Sequence, residues 1–204
     1  GINAPVQYGN NAKALAVLLN VHYRLPYKKI QGLFNDLFGY PINESTICQA
    51  GKRCYKNLEQ SEQIIKSKIV GQKVAHADET GLRTAGKLQW VHTATSLLYT
   101  YLFVHEKRGT GAIQSNKSIL AGYIGWLVHD CWGSYFKLEH LKHAVCGAHI
   151  LRELESLIEN QQSKWAKVFK LFLLNIYNMP FEERVKRREI IESRYDRICS
   201  FGEK

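Results

Sequence analysis

Apolar residues in the first third of the chain recur every three or four positions, which is the spacing of amphipathic helices. This spacing predicts one helix from Asn11 to about Tyr23 and a second that starts at Pro26 and ends at Gly39. A third helix is predicted to begin at Ser45, because serine is a favoured N-cap. The expected buried faces are Leu15, Leu18, Leu19 and His22 in the first helix, Tyr27, Ile30, Leu33, Phe34, Leu37 and Phe38 in the second, and Ile47, Cys54, Tyr55 and Leu58 in the third.

The third predicted helix is basic, and a short link that contains a glycine separates it from the second. Lys52, Arg53 and Lys56 lie largely off its apolar face. Such a pair of helices resembles a helix-turn-helix, whose second helix contacts DNA. These three side chains are therefore DNA-binding candidates. A plain helical hairpin that packs on the next domain fits the same pattern.

The apolar period changes to two in the middle of the chain, where β-branched and aromatic residues are frequent. The predicted order is three strands, a helix, a strand, a helix and a strand. This order predicts a mixed α/β sheet in which the first and fourth strands are able to lie side by side. The predicted elements are strands at Val74–Ala77, Leu88–Thr95 and Leu98–His105, with a turn at Ala85–Gly86 between the first two, a short helix from Gly109 to about Leu120, a strand at Gly125–His129, a helical piece from Trp132 to about Leu141, and a strand at His143–Cys146.

The last part of the chain, from Ala148 onward, is predicted to be helical. Ser163 is placed to cap one helix, and Pro180 opens the final segment, which carries a mixed run of charges. The residues expected to share the buried face of the capped helix are Trp165, Val168, Phe169, Phe172 and Ile176.

Two of the predicted strands run to an aspartate, the first to Asp78 and the fourth to Asp130. A single aspartate at the end of a strand usually caps a turn. Two of them at one edge of a sheet, however, form the kind of carboxylate pair that binds divalent metal ions for phosphoryl transfer. The sequence therefore predicts that these two aspartates are metal ligands.

Other residues near the aspartates are candidates for supporting roles. Glu79 follows Asp78 and points to the opposite side if the strand continues, which favours a surface position or a role behind the metal ligands. His76 and His129 are either such supporting residues or ordinary core histidines. Lys107 and Arg108, in the segment Lys-Arg-Gly-Thr-Gly, are the best phosphate-contact candidates in this part of the chain, because the glycines allow backbone amides to approach an anion too. Trp132 and Tyr135 either stack on DNA bases or pack the helix, and packing is favoured.

The charge distribution suits a polyanionic partner. The 204 residues carry a net charge of +10, of which residues 1–70 contribute +5, residues 71–160 contribute +1 and residues 161–204 contribute +4. Basic flanks around an acid-bearing centre are suited to holding DNA while metal-bound carboxylates act on it. Solvated helix faces with a mild excess of lysine and arginine explain the same numbers.

The composition also bears on the compartment. The five cysteines form no Cys-x-x-Cys pair, which is typical of reduced thiols in a cytosolic protein. The sequence contains no apolar run of the roughly 20 residues that a membrane-spanning helix needs, and it does not begin with a signal-peptide pattern. We therefore expect a cytoplasmic protein without a membrane partner or a small-molecule substrate.

Laid out in this order, the motifs resemble those of the transposases of the insertion sequence 66 family. The resemblance covers essentially the whole chain, and the ordered series of motifs is far more specific than any one of them. The segments that carry it are Val6–Gly9, the helical lead-in, Val74–His92, Lys107–Ala112, Leu127–Phe136 and Cys146–Leu154.

This resemblance implies a DDE transposase with an RNase H-like catalytic core, in which two aspartates and a glutamate bind two divalent metal ions, Mg²⁺ or Mn²⁺. The first two acids fall on Asp78 and Asp130. In the family the third acid lies on a helix after a mainly helical insertion, in a pattern like Asn-Asn-x-x-Glu-Arg, which does not occur in this sequence. We therefore expect the chain to be the central part of such a transposase and to be inactive by itself. Glu153 and Glu155 are weak substitutes for the missing acid.

The resemblance also implies an organisation and partners. We expect a helical lead-in over residues 1–70, an incomplete RNase H-like core over 71–150 and the start of a helical insertion over 151–204. The expected activity of the complete protein is metal-dependent DNA cleavage and strand transfer at transposon ends, by a homo-oligomer on double-stranded DNA in the prokaryotic nucleoid. The alternatives are a catalytically inactive DNA-binding remnant and an RNase H-like nuclease that only hydrolyses.

Overall fold

The computed structural model describes residues 8–202. The beginning of the Val6–Gly9 motif and the last two residues lie outside the described part. The backbone divides into two compact units, one up to Lys68 and the other from Ile69 onward. The further division that we expected at residue 150 stays a prediction.

The first unit is helical. Its buried core consists of Ala16, Ile30, Phe34, Ile42 and Ile47. Gly39 ends the second helix with a φ of 73°, as predicted, because the left-handed conformation is easy only for glycine. The helices are α1 (Asn10–Val21), α2 (Tyr27–Phe38), α3 (Glu44–Asn57) and α4 (Glu59–Val70), the last of which runs across the boundary between the units.

The predicted start of α3 is wrong, and so are parts of the expected buried faces, since the structure leaves Leu37, Phe38, Tyr55, Leu58 and Val168 exposed. The N-cap of α3 is Asn43, so Ser45 lies inside the helix. In α1 the buried residue is Ala16, whereas Leu15 and Leu18 are 36% and 48% exposed. The error in α1 has a simple cause: α1 carries alanine, leucine or valine around most of its circumference, so spacing alone does not select the face that packs.

The second unit is built on a five-stranded mixed sheet with the strand order β3-β2-β1-β4-β5. Strand β2 is antiparallel to both β1 and β3, while β4 is parallel to β1 and β5 is parallel to β4. The predicted mixed α/β sheet and the adjacency of its first and fourth strands are confirmed. The elements are β1 (Val74–Thr84), β2 (Lys87–Thr95), β3 (Thr100–His105), α5 (Thr110–Ile113), a 3-10 turn (Leu120–Gly122), β4 (Trp126–His129), α6 (Gly133–Phe136) and β5 (Lys142–Val145).

The predicted end of β1 is wrong. The strand continues through Asp78 to Thr84, because its antiparallel pairing with β2 continues up to the pair Thr84 and Lys87. The predicted turn at Ala85 and Gly86 is present, with φ values of 50° and 77°. Positive φ at both central residues is what a tight type I′ hairpin requires.

The predicted helices between the strands are also shorter than expected. Helix α5 has four residues, because polar turn-forming residues follow it and the Ser118 hydroxyl accepts a hydrogen bond from the Leu120 amide at 3.1 Å. Helix α6 likewise has four residues and ends at Phe136.

The two faces of the sheet differ in burial. Along β1, Ala75, Ala77 and Glu79 point to the covered face, and His76 and Asp78 are exposed on the other face. The other buried residues of this region lie in the sheet or in the segments around α5 and α6: Ala94, Tyr101, Ala112, Ile113, Ile119, Leu120, Tyr123, Leu127, Tyr135, Leu138 and Leu141.

The chain ends in helices that form their own apolar cluster within the second unit. The Ser163 hydroxyl caps α8 by accepting a hydrogen bond from the Ala166 amide at 3.2 Å, as predicted. All five cysteines lie within the described residues and are unpaired. No helix between residues 8 and 202 has the length and apolar character to cross a membrane. These helices are α7 (Gly147–Gln161), α8 (Lys164–Asn178), α9 (Phe181–Lys186) and α10 (Arg188–Gly202), and the buried cluster is Leu154, Ala166, Phe169, Phe172 and Ile198.

We expect Ala85→Asn to stabilise the second unit by about 0.5–1 kcal/mol. Alanine is strained at positive φ, whereas asparagine tolerates this conformation and Asn-Gly is a preferred type I′ pair. Chemical denaturation should show a higher midpoint for this variant. Gly86→Ala is the matched control and should lower the midpoint. A lower midpoint for Ala85→Asn would contradict the turn geometry.

Candidate active site

The parallel pairing of β1 and β4 determines where the two aspartates lie. The last pair of this ladder joins His76 and Val128. Asp78 and Asp130 each follow two residues later, so they occupy matching positions just beyond the last pair of β1 and β4. The structure thus places the two aspartates that the sequence paired in matching register on neighbouring segments.

Each aspartate uses one oxygen for a backbone hydrogen bond. Asp78 Oδ1 accepts from the Glu79 amide at 2.9 Å, and Asp130 Oδ1 accepts from the Trp132 amide at 3.0 Å. The second oxygen of Asp130 lies 3.9 Å from Nη2 of Arg108, which is an ion pair but too long for a hydrogen bond. Both carboxylates therefore keep an oxygen that is available to a further ligand.

Glu79 lies on the opposite face of β1, and its side chain is completely buried. Its Oε1 accepts a hydrogen bond from Nε of Arg108 at 2.7 Å, and its Oε2 accepts one from the hydroxyl of Tyr135 at 2.5 Å. Burial and the hydrogen bond to Glu79 raise the pKa of the Tyr135 phenol far above its usual value, so it remains a donor. The negative charges of Asp130 and Asp78 add to this rise in the pKa. The expected surface position of Glu79 is therefore wrong, and its expected role behind the aspartates has a structural basis.

The guanidinium of Arg108 lies between two indoles and two carboxylates. Its central carbon is 4.2 Å from the ring centroid of Trp132 and 5.0 Å from that of Trp90. The side chain is nevertheless 40% exposed. This arrangement restrains the plane of the guanidinium while part of it remains open to solvent.

The backbone next to Arg108 is held by two histidines. His92, which is stacked on Phe103, has its Nε2 3.1 Å from the carbonyl oxygen of Lys107. The Lys107 amide donates to Nδ1 of His105 at 2.9 Å. Burial lowers the pKa of His92, an effect that the hydrogen bond to Lys107 partly opposes. The side chain of Lys107 is exposed. The two histidines thus hold the backbone of Lys107, while its side chain is open to solvent.

The remaining candidates in this region differ in burial. His129 is only 1% exposed, and its ring nitrogens lie 2.5 Å from the Asp130 carbonyl oxygen and 2.9 Å from Nδ1 of His143. Tyr135 is buried, and Trp132 packs edge-on against it at 6.1 Å. His76, by contrast, is exposed on the face that carries Asp78.

The carboxylate oxygens of the two aspartates suit a hard divalent cation. Mg²⁺ is usually held by one or two carboxylates and completes its shell with water and substrate phosphates, which the two free aspartate oxygens permit. Within residues 8–202 no group of three or more His, Cys, Asp or Glu side chains is placed to hold a metal ion. Glu155 is paired with Lys170, and Glu153 is exposed. Neither of these glutamates completes a three-acid set.

The basic residues predicted to bind DNA lie in both units. Lys52, Arg53 and Lys56 are exposed on α3 of the first unit. Lys107 and Arg108 follow β3 in the second unit, beside the aspartates. All five side chains are thus at least partly accessible. That Lys52, Arg53 and Lys56 belong to a helix-turn-helix stays a prediction.

Sequence reasoning did not find the contacts of Glu79 with Arg108 and Tyr135. One signal was present, because the alternation along β1 puts Glu79 on the same face as Ala75 and Ala77. An acid on an apolar face requires partners, since an unpaired buried charge is strongly unfavourable. The sequence, however, does not indicate which of its many basic side chains is the partner.

Comparisons with known proteins bear on the identity of the chain. A model of the "Transposase IS66 family" matches residues 5–199, and no curated protein matches. Two solved structures show distant similarity. The intasome of simian T-cell lymphotropic virus, in complex with a PP2A regulatory subunit, has 12% identity and a TM-score of 0.32, with 55% of this chain and 45% of that chain covered. The magnesium-bound integrase catalytic core of HTLV-2 has 14% identity and a TM-score of 0.28, with 56% and 80% covered.

The family match extends over almost the entire sequence. It includes both aspartates, the segment with Lys107 and Arg108, and the helices that precede and follow the sheet strands along the chain. The chain belongs to the IS66 family of transposases.

Proposed function

We propose that this chain contains the two-aspartate metal site and part of the DNA-binding surface of a transposase. We propose further that the complete protein performs DNA cleavage and strand transfer at transposon ends. The observation that carries the proposal is the matching register of Asp78 and Asp130 beyond the parallel pairing of β1 and β4. Membership of the IS66 family supports a recombination reaction on DNA.

The proposed metal ions are Mg²⁺ or Mn²⁺, two in the complete site, held by Asp78 and Asp130. When bound, such ions activate the attacking hydroxyl or water and stabilise the leaving oxygen of the phosphodiester. The aspartates suit this task because carboxylate oxygens are hard ligands, which Mg²⁺ and Mn²⁺ prefer. The backbone amides of Glu79 and Trp132 orient the two carboxylates before any metal arrives.

The proposed grip on DNA uses positive charges in both units. Lys107 and Arg108 would contact the phosphates nearest to the aspartates, and Lys52, Arg53 and Lys56 would contact DNA through α3. Such contacts provide affinity and position but carry little sequence information. Double-stranded transposon ends, held by more than one copy of the protein, are the proposed partners.

A DNA-binding function without cleavage is the second candidate. The observation in its favour is that no third carboxylate accompanies Asp78 and Asp130 within residues 8–202. An RNase H-like nuclease that only hydrolyses has no particular support from these residues. Formation of strand-transfer products by a complete version of the protein would separate the transposase from the nuclease.

We expect the chain to bind Mn²⁺, and we expect Asp78→Asn and Asp130→Asn each to weaken this binding by roughly tenfold or more, because each removes a charged ligand. Titration calorimetry or the spin-resonance signal of free Mn²⁺ measures the affinity. Asp36→Asn, at an exposed aspartate of the first unit, is the control and should bind as the unchanged chain does. Binding that survives in both site variants would contradict the proposed metal role.

We further expect that the purified chain does not nick supercoiled DNA in Mg²⁺ or Mn²⁺, because only two carboxylates converge in the described site. Agarose electrophoresis of plasmid after incubation with the protein tests this expectation. Nicking that disappears in Asp78→Asn would show that two aspartates suffice and would contradict it.

We expect Lys52→Ala, Arg53→Ala and Lys56→Ala to weaken DNA binding similarly for unrelated duplex sequences. Each phosphate contact that is lost should reduce the slope of log affinity against log salt by about 0.9. Fluorescence anisotropy of labelled duplexes at several salt concentrations measures this slope. Lys164→Ala, on α8, is a basic-residue control. If all three α3 variants kept the original slope, α3 would not be part of the DNA-binding surface.

A further inference from the structure

Glu79 has no free capacity to bind a ligand. Its carboxylate is completely buried, one oxygen accepts from Arg108 at 2.7 Å, and the other accepts from Tyr135 at 2.5 Å. A buried carboxylate of this kind is stable only while its partners remain. Although it follows Asp78 directly, Glu79 is therefore committed to internal contacts.

Arg108 is held on one side and open on the other. Its Nε–H is used by Glu79, and its plane is restrained by the Trp132 and Trp90 rings. Its two Nη atoms carry four N–H groups, and their one contact among residues 8–202 is the long ion pair of 3.9 Å between Nη2 and Oδ2 of Asp130. With 40% of its side chain exposed, this arginine is able to present two parallel N–H donors to an incoming oxyanion.

Phosphate is the oxyanion that best fits this place. A phosphate that approaches Asp130 meets a negative charge, and the neighbouring guanidinium offsets the repulsion. Arginine binds phosphate in a bidentate manner, which requires the orientation of its plane to be restrained. The contacts of Arg108 with Glu79 and the two indoles supply that restraint before DNA binds.

Tyr135 completes the arrangement. Its hydroxyl donates a hydrogen bond to the second oxygen of Glu79. Tyr135 lies in α6 and is only 1% exposed. The carboxylate is thereby prevented from rotating away from Arg108. Because α6 follows Asp130 closely, the same segment supports both the aspartate and the glutamate.

We propose that Glu79, together with Tyr135, positions Arg108 as a phosphate-binding side chain beside Asp130, and that Glu79 is a positioning residue and not a metal ligand. This inference rests on the proposed function, since it assumes that the partner is DNA. The two adjacent acids thus have different proposed roles: Asp78 binds metal, and Glu79 holds Arg108 in position.

The test asks whether the substitution Glu79→Gln strengthens or weakens DNA binding. Glu79→Gln removes a negative charge, so simple electrostatics predicts tighter DNA binding. If Glu79 positions Arg108, the variant should instead bind DNA more weakly. The slope of log affinity against log salt should then fall by about 0.9, as for Arg108→Ala. The measurement is fluorescence anisotropy of a labelled duplex with the whole chain, in chelator and without metal ions, over a series of salt concentrations.

A double-mutant cycle separates positioning from a general structural effect. If Glu79 acts through Arg108, the double variant Glu79→Gln/Arg108→Ala should bind no more weakly than Arg108→Ala alone. Arg83 is the matched control, because it is an exposed arginine of the same sheet that donates a long hydrogen bond of 3.5 Å to the Gly86 carbonyl. Glu79→Gln and Arg83→Ala should therefore combine additively. Tyr135→Phe should weaken DNA binding in the same direction as Glu79→Gln.

Several outcomes would overturn the proposal. These are unchanged or tighter DNA binding by a folded Glu79→Gln variant, additivity of Glu79→Gln with Arg108→Ala, or a reduced number of bound Mn²⁺ ions in Glu79→Gln. If circular dichroism shows that Glu79→Gln is unfolded, Arg108→Lys decides the question. It retains the charge but not the fork, so affinity and slope equal to those of the unchanged chain would overturn the proposal.

Failure of this inference is distinguishable from failure of the proposed function. The DNA measurements contain no metal ion and do not depend on Asp78. If the chain bound no Mn²⁺, the two-aspartate metal site would be refuted. The double-mutant cycle would still show whether Glu79 acts on DNA affinity through Arg108.

Discussion

The parallel pairing of β1 with β4 is the interaction on which the candidate site depends. It joins two segments that are about fifty residues apart in the sequence and aligns His76 with Val128. The two aspartates then follow at equal distances from the last pair. A shift of one residue in this register would send one carboxylate to the other face of the sheet. The β1–β2 hairpin on one side and β5 on the other hold both strands in this register.

The same strand geometry explains why two neighbouring acids have different environments. Successive side chains of β1 point to opposite faces, so Asp78 is exposed while Glu79 enters the covered face. Water and ligands reach the first carboxylate. The second is neutralised by Arg108 and capped by Tyr135. A single backbone step thus separates an exposed carboxylate from one that is buried and paired with Arg108 and Tyr135.

Much of the sheet was predictable because its signals are local. Runs of β-branched and aromatic residues identified β2 and β3, and period-two alternation supported β3. Ala85–Gly86 identified the hairpin, and Asp78 and Asp130 were recognised as a pair from the strand order. The errors arose where local signals conflict or are too uniform. The polar residues after α5 shorten that helix, and the nearly continuous apolar surface of α1 does not specify its buried side. The length of β1 depends on its partner β2, which is a tertiary property.

The sequence by itself determined the order of the elements, the helix caps at Gly39 and Ser163, the two candidate ligands and the family, because each of these depends on residue type and spacing. Only the tertiary structure decided which basic side chain neutralises Glu79. Arg108 is 29 residues away and Tyr135 is 56 residues away, and no spacing rule connects them. Their contacts exist because the sheet places β1 beside β4 and brings the loop after β3 and helix α6 to the same edge.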